Sequence, residues 1–387
     1  MKLRINMDGI SLPQTLILLL PVFPLLDFFL FKGFPYITAF AYLMIIIIYG
    51  NFRRISDNTI ALFTGITVLS LLLNGIVKGF TVDQFKYLLC YTAFASLGLH
   101  IGKDIDKYIK TLIKFTYCYF SVNTLVFIYR LVVFNYDFNR VRMGTAIFGG
   151  NSAHFIFMMM LLLLKDYDEY RKHYYVVLII TALNSVFYTS KGAIIATVVW
   201  VVLDILYQRK TKAINWKVIM AVIAGALIFR FYIFDKIGNF LNFALERFLI
   251  WEDLFKSTGG IMGTRAKIID FCVGYIKSHP SILICGNGPT FFRDINPWLY
   301  SNTHNLFMDV VFDIGVLGVL IFFVICFKSL LYSKNRIYYL VCIGYATIEG
   351  VALFFIDGTS PIMTGFAFFF IIAYYYSRVR IKDMHNR

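Results

Sequence analysis

Charge is what this chain of 387 residues has least of. Asp, Glu, Lys and Arg make up 15% of it, where a soluble domain carries about 25%. Hydrophobic residues reach 59% and the mean hydropathy is +0.72. Repeated apolar runs of that kind need a bilayer as solvent, so a soluble enzyme and a disordered protein are both excluded. Cysteine is also sparse. Six cysteines make no framework, which excludes a secreted disulfide scaffold. Cys90, Cys118, Cys326 and Cys342 lie in apolar runs. Cys272 and Cys285 share the one long loop and can pair there; unpaired packing thiols are the favoured reading. No Cys-x-x-Cys or Cys/His cluster marks a metal site, and no cofactor is expected. Acidic residues are scarcer than basic ones, 22 against 37, for a formal net charge of +15. In a soluble protein that surplus would suggest nucleic acid. In a membrane chain it asks which side the basic residues face.

Hydropathy predicts an all-α polytopic membrane protein of about twelve spans. They fall at 10–31, 34–50, 59–77, 85–101, 111–134, 151–164, 174–189, 192–207, 217–234, 303–327, 337–356 and 361–377. The first has no small-residue cleavage site after it and is expected to be retained rather than removed as a signal. Basic residues gather on one side of this count. Lys2, Arg4, Arg53, Arg54, Lys103, Lys107, Lys110, Lys165, Arg171 and Lys172 belong to it. So do Arg209, Lys210, Lys212, Lys328, Lys334, Arg336, Arg378, Arg380, Lys382 and Arg387. The opposite short connections hold only Lys32, Lys78, Arg140, Arg142 and Lys191. The positive-inside rule then puts both termini in the cytoplasm. Three parts follow: spans one to nine over 1–234, an outward loop over 235–302, and spans ten to twelve with a cytoplasmic tail over 303–387.

The outward loop breaks a pattern of short connections, and a long loop in a compact fold is usually functional. Residues 241–256, which include Arg247 and Trp251, have the spacing of an amphipathic interfacial helix. Gly263-Thr264-Arg265 opens a second helix over 264–278, with Thr264 able to cap it. A cation in a first helical turn opposes the macrodipole. It makes sense where Arg265 and the free backbone N–H groups face a shared anion, although a solvated surface arginine is equally consistent. His279-Pro280 ends that helix, and Gly286-Asn287-Gly288 reads as a tight turn before it reads as a phosphate cradle. Thr303-His304-Asn305 stands at the mouth of the tenth span, where an interfacial histidine without chemistry is common. Asp309 and Asp313 follow on one face of that span, either toward the bundle interior or paired with a loop arginine. Arg140, Arg142, Lys191 and Arg265, with His304, form a set of outward groups on separate elements that suits an anion.

The order of these features resembles the O-antigen polymerase (Wzy-type) and O-antigen ligase superfamily of bacterial envelope glycosyltransferases. The pieces are Arg142 and Gly149-Gly150-Asn151 before the sixth span, Ser190-Lys191-Gly192, and one long outer loop. In the loop come Gly263-Thr264-Arg265, His279-Pro280 and Gly286-Asn287-Gly288; Thr303-His304-Asn305 and Asp313-Ile314-Gly315-Val316-Leu317-Gly318 follow. The turn before the eighth span usually carries Arg, and here it is Lys191, which keeps the charge but loses bidentate geometry.

The resemblance implies a GT-C-like, metal-independent, inverting glycosyltransferase in the bacterial inner membrane. Its donor and acceptor are oligosaccharides on undecaprenyl pyrophosphate, presented among membrane lipids at the outer leaflet. A separate chain-length regulator is an implied partner; nucleic acid is not. Arg265 is the expected pyrophosphate ligand, with Arg142 and Lys191 completing the clamp and Arg140 and Arg247 among the binding residues. His304 is the expected base toward the acceptor hydroxyl, and Asn305 is expected to orient it or to bind a sugar. Trp251, Trp298 and Tyr300 are placed either to stack on sugars or to anchor at the interface. A ligase on the same fold, a lipid-linked-sugar flippase and an inert structural membrane protein are the competing readings. The last leaves the outward polar groups unexplained.

Overall fold

The structure, a computed structural model, describes residues 12–30, 36–49, 58–78, 82–133, 150–188, 190–208, 263–288, 291–295, 297, 305–349 and 367–376. Among the described residues there is no strand; the fold is helical. In chain order the helices are α1 (Leu12–Leu19), α2 (Val22–Leu30), α3 (Tyr36–Tyr49), α4 (Asn58–Lys78) and α5 (Val82–Lys103). Then come α6 (Ile105–Val133), α7 (Gly150–Leu164), α8 (Arg171–Tyr188) and α9 (Lys191–Gln208). Past the expected ninth span and the 241–256 stretch, both outside the described residues, lie α10 (Gly263–Ser278), α11 (Ile282–Cys285) and α12 (Phe291–Ile295). Last are α13 (Leu306–Tyr332), α14 (Arg336–Glu349) and α15 (Ala367–Tyr376).

Two of these, over Ile105–Arg130 and Leu306–Tyr332, are long and apolar enough to cross a membrane. Four shorter apolar helices accompany them, over Ala61–Ile76, Ser152–Leu164, Gly192–Tyr207 and Ala367–Tyr376. The first expected span is two helices. Its break is chemical: Leu20 N–H still reaches Leu16 O at 3.1 Å, but Pro21 has no N–H with which to continue the ladder.

The core sits on α7 and α15. Every residue from Ser152 to Leu164 is buried, as is every residue from Ala367 to Tyr375. A helix that is apolar all round has no solvent face to offer, so it is enclosed. The helices around it are apolar outward as well. Ile47, Ile76, Leu125, Val198, Leu320 and Phe323 are all more than half exposed. An outer surface of this kind fits lipid rather than water.

Polar groups are concentrated where helices meet. The connection after α7 carries Lys165, whose Nζ lies 2.5 Å from Asp204 Oδ1 on α9. Tyr338 OH donates to the same carboxylate at 2.7 Å, and Tyr174 OH donates to its other oxygen. Trp200 Nε1 donates to Tyr174 OH at 2.9 Å, and Lys165 Nζ stands 4.1 Å from the centre of the Tyr338 ring. Alongside, Asp166 accepts from Asn335 Nδ2 at 2.7 Å and from Tyr374 OH at 3.1 Å. These groups tie α7, α8, α9, α14 and α15 at one end of the bundle. Two buried ions are stable only while both are present. Replacing Asp204 by Ala should therefore destabilise the fold by about 3–5 kcal/mol. The double replacement of Lys165 by Met and Asp204 by Leu should cost less than Asp204→Ala alone. Thermal unfolding of the purified proteins in detergent measures both.

Candidate functional site

The opposite end of the bundle holds the sequence-derived residues that are described. Asn305 opens α13 in extended conformation, with φ −148° and ψ 115°. Its side-chain oxygen accepts from Phe307 N–H at 3.1 Å and Met308 N–H at 3.2 Å. That is an N-cap, and it satisfies two donors the helix leaves open. The oxygen of Asn305 is thus committed to the backbone. His304, one residue earlier, lies outside the described residues, as do Arg140, Arg142 and Arg247.

Farther along α13 the helix breaks. Gly315 has φ 81° and ψ −179°, a region essentially confined to glycine. The break takes the carbonyls of Phe312 and Asp313 away from their usual partners four residues on. A loop replaces those partners. Asn287 N–H donates to Phe312 O at 2.6 Å, and Gly288 N–H donates to Asp313 O at 3.2 Å. Ser70 Oγ, on α4, also reaches Asp313 O at 3.4 Å. Gly286 makes the approach possible. It has φ 67° and ψ −169°, and a Cβ there would overlap the Asp313 carbonyl. The Gly-Asn-Gly turn and the Asp-Ile-Gly break are therefore one interlock, and the N–H groups of Asn287 and Gly288 are spent on carbonyls rather than on an anion.

The interlock brings the α10–α12 segment onto α13. Ile268, Cys272, Ile282, Phe292 and Phe312 form one buried cluster, with Phe271, Tyr275 and Met308 packed against it. The Tyr275 and Phe312 rings are 6.2 Å apart, and His279 stacks on Tyr275 at 4.3 Å. Asp309 and Asp313, four apart on α13, are both buried. The Asp309 carboxylate acts on Cys272 across the α10–α13 contact. Arg265 lies two turns before Cys272, and Asn305 one turn before Asp309. The first turn of α10 and the opening of α13 thus lie within about 10 Å of helix rise from one shared contact. Helix α10 starts at Gly263, so Thr264 stands inside the first turn beside Arg265 instead of ahead of it. Cys272 is a free thiol. It belongs to the packing, and its signal in sequence was the apolar spacing around it.

The Ser190-Lys191-Gly192 turn is built in the same economical way. Ser190 Oγ accepts from Ala193 N–H at 3.3 Å and its carbonyl from Ile194 N–H at 3.1 Å, so Ser190 starts α9 and Lys191 is its first residue. Against Gly192 lies a residue the sequence reading missed. The Glu349 carboxylate, at the end of α14, fills the space a Cβ on Gly192 would take. Glu349 is buried. A carboxylate at the end of the apolar stretch 337–356 was the signal that could have flagged it.

With this geometry in place, a comparison with known families adds the identity of the pattern. Residues 176–323 match the family model described as O-antigen ligase. The match runs from α8 through Lys191, Arg265 and Asn305 and on past the Gly315 break. It supports the O-antigen ligase and polymerase superfamily, and with it a membrane enzyme of O-antigen or related polysaccharide assembly. No curated protein and no solved structure matches the chain.

Two expectations follow. Replacing Gly286 or Gly315 by Ala forces a side chain into a glycine-only conformation, at about 1–3 kcal/mol each. The two losses should not add, because both undo one interlock; thermal unfolding of the single and double variants reads this. Burial, helped by the Asp309 charge, pushes the Cys272 thiol up to about 12. An unfolded thiol ionises near 8.5, so this contact loses stability as pH rises from about 8.5 toward 12. At pH 8 Cys272 should stay unlabelled by a membrane-permeant maleimide until the protein is denatured, as mass spectrometry of its peptide would show.

Proposed function

We propose that the chain is a membrane glycosyltransferase that polymerises lipid-linked oligosaccharide repeat units at the outer leaflet of the bacterial inner membrane. The observation that carries this reading is the family match over residues 176–323, which spans Lys191, Arg265, His304 and Asn305 together. The apolar outer surface and the sealing of α10 onto α13 support it. In this reading the chain crosses the membrane about twelve times with both termini in the cytoplasm. The loop over 235–302 is its outward catalytic cover between the helices of 1–234 and those of 303–387.

The donor is a glycan on undecaprenyl pyrophosphate. The bond from its anomeric carbon to the pyrophosphate oxygen breaks, and the leaving group takes the electron pair. Fixed cations stabilise the charge that develops there. Arg265 takes the phosphate oxygens through its planar fork, and Arg142 and Lys191 share the load, with Arg140 and Arg247 nearby in the chain's outward set. A hydroxyl of a second lipid-linked repeat unit attacks the anomeric carbon and gives its proton to neutral His304. Asn305 serves this step from the cap of α13, which sets where the span begins. A chain-length regulator acts from outside this machinery.

Replacing Arg265 or His304 by Ala should abolish polymer in a strain lacking its own polymerase, with protein level unchanged. Wild-type polymer from either variant rejects the assignment. Asn305→Ala should cost about 1 kcal/mol of stability through the lost cap. Asn305→Ser, which keeps a capping oxygen, should restore both stability and polymer. The description of the matched family favours a second reading, transfer of finished glycan to lipid A-core. In that strain a ladder of glycan lengths on gels supports polymerisation, and a single capped repeat means that none takes place.

A further inference from the structure

Helix α6 begins at the end of the bundle where Lys165 and Asp204 are paired. Tyr167 OH, just past Lys165, donates to Asp106 Oδ1 in its first turn at 2.6 Å. One face of α6 is exposed along its length. Lys107, Lys110 and Lys114 come first on it, then Ser121, Leu125 and Ile128. Successive members are three, four or seven apart, so they share one line down the helix. Neighbouring helices flank this line. On one side is α8, where the Phe127 and Phe187 rings are 5.6 Å apart and Tyr117 OH lies 2.7 Å from His173 Nδ1. On the other are α1 and α2, with Cys118 Sγ 3.9 Å from Leu18 O and the Tyr129 ring 5.7 Å from that of Phe29.

Helix α8 repeats the pattern. Lys172 is exposed in its first turn, and Val176, Ile179, Leu183 and Val186 follow at spacings of three and four, all exposed. The Tyr117–His173 contact sets the two lines in register. Lys114 comes one turn before Tyr117, and Lys172 one residue before His173. The lysines of both helices thus stand at one level, and apolar residues run away from them on both.

This arrangement calls for an anion. Lys107, Lys110 and Lys114 are spaced three and four apart, where like charges repel. The nearby carboxylates of α6 are engaged, Asp104 with Lys107 at 3.4 Å and Asp106 with Tyr167. Asp168 and Glu169 are exposed in the turn before α8, on the far side of Lys172 from its apolar line. Among the described residues Lys110, Lys114 and Lys172 enter no ion pair. Both helices also point the positive end of the dipole to this level. Lys114 lies about 14 Å of rise into a helix long and apolar enough to cross a membrane. A lysine so placed extends its ammonium to the phosphates of the bilayer surface while its stem stays on apolar ground.

We propose that α6 and α8 together form a binding surface for an anionic phospholipid, with its phosphate among Lys110, Lys114 and Lys172 and its acyl chains along Leu125, Ile128, Val176 and Ile179. The unpaired cations select the headgroup, and the apolar lines select a ligand with tails. The surface stands at the other end of the bundle from the candidate functional site and does not rest on the glycosyltransferase reading.

Acetylation of the full chain in nanodiscs tests this on the wild type alone. Lys110, Lys114 and Lys172 should react with acetic anhydride about fivefold more slowly in phosphatidylcholine with phosphatidylglycerol than in phosphatidylcholine alone, relative to exposed Lys334 in the same sample. Mass spectrometry of the peptides reads each site. No slowing at the three lysines, or equal slowing at Lys334, overturns the proposal. Glycerol phosphate in solution carries the charge without the tails and should not protect; protection by it overturns the lipid as occupant. Native mass spectrometry in detergent gives the second arm. Lys110→Gln/Lys114→Gln should retain added phosphatidylglycerol about 25-fold less well than wild type, about fivefold for each lysine. Lys277→Gln/Lys334→Gln, with the same net charge, and Lys110→Arg/Lys114→Arg should retain it as the wild type does. Equal loss in both glutamine variants makes the effect one of net charge and overturns the site.

Discussion

A carbonyl that loses its helical partner away from water must find another donor. That constraint organises the end of this protein at which α13 begins. Gly315 breaks α13, and the carbonyls of Phe312 and Asp313 turn to the N–H groups of Asn287 and Gly288. The debt of one helix thus becomes the anchor of a loop. Once Gly286–Gly288 is docked, Ile282 and Phe292 on either side of it are drawn into the cluster around Phe312, and α10 is sealed through Ile268 and Cys272. The helix that carries Arg265 is positioned by backbone hydrogen bonds two motifs away from it.

The two ends of the bundle treat charge differently. At one end Lys165 and Asp204 are paired, and the carboxylate also accepts from Tyr174 and Tyr338. With Asp166, Asn335 and Tyr374 beside it, this network holds five helices together. At the other end Asn305 and Ser190 spend their side chains on helix starts, Asn305 on α13 and Ser190 on α9, whose first residue is Lys191. Polar side chains there set the geometry of the backbone.

Much of this was legible residue by residue. The helix over Gly263–Ser278 could be read from its spacing and from the His279-Pro280 stop. The Gly-Asn-Gly turn was recognisable as a turn, because glycine pairs punctuate a chain locally. The broken first span was not, although Pro21 was in view, because hydropathy averages over a window and a single missing N–H leaves no trace in it. Asn305 was read as orienting His304 or a sugar, and its cap went unread, because a cap is decided by the dihedral angles of one residue, and those follow from where the helix begins. Glu349 was passed over altogether. Its partner Gly192 is 157 positions away in the chain, and no local pattern links them.

What the sequence by itself determined is the solvent of this protein and the side on which its chemistry is expected. Scarce charge requires a bilayer, and the minority of basic residues apart from the main cluster is where an anion site is expected, because both readings follow from transfer free energies that each residue carries wherever it sits. What only the tertiary structure decided is which polar groups remain for function. Asn287 and Gly288 are consumed by a broken helix, Cys272 by a core, and Glu349 is brought to Gly192, because satisfying a buried hydrogen bond or filling a close-packed space is a property of pairs, and pairs distant in sequence meet only when the chain has folded.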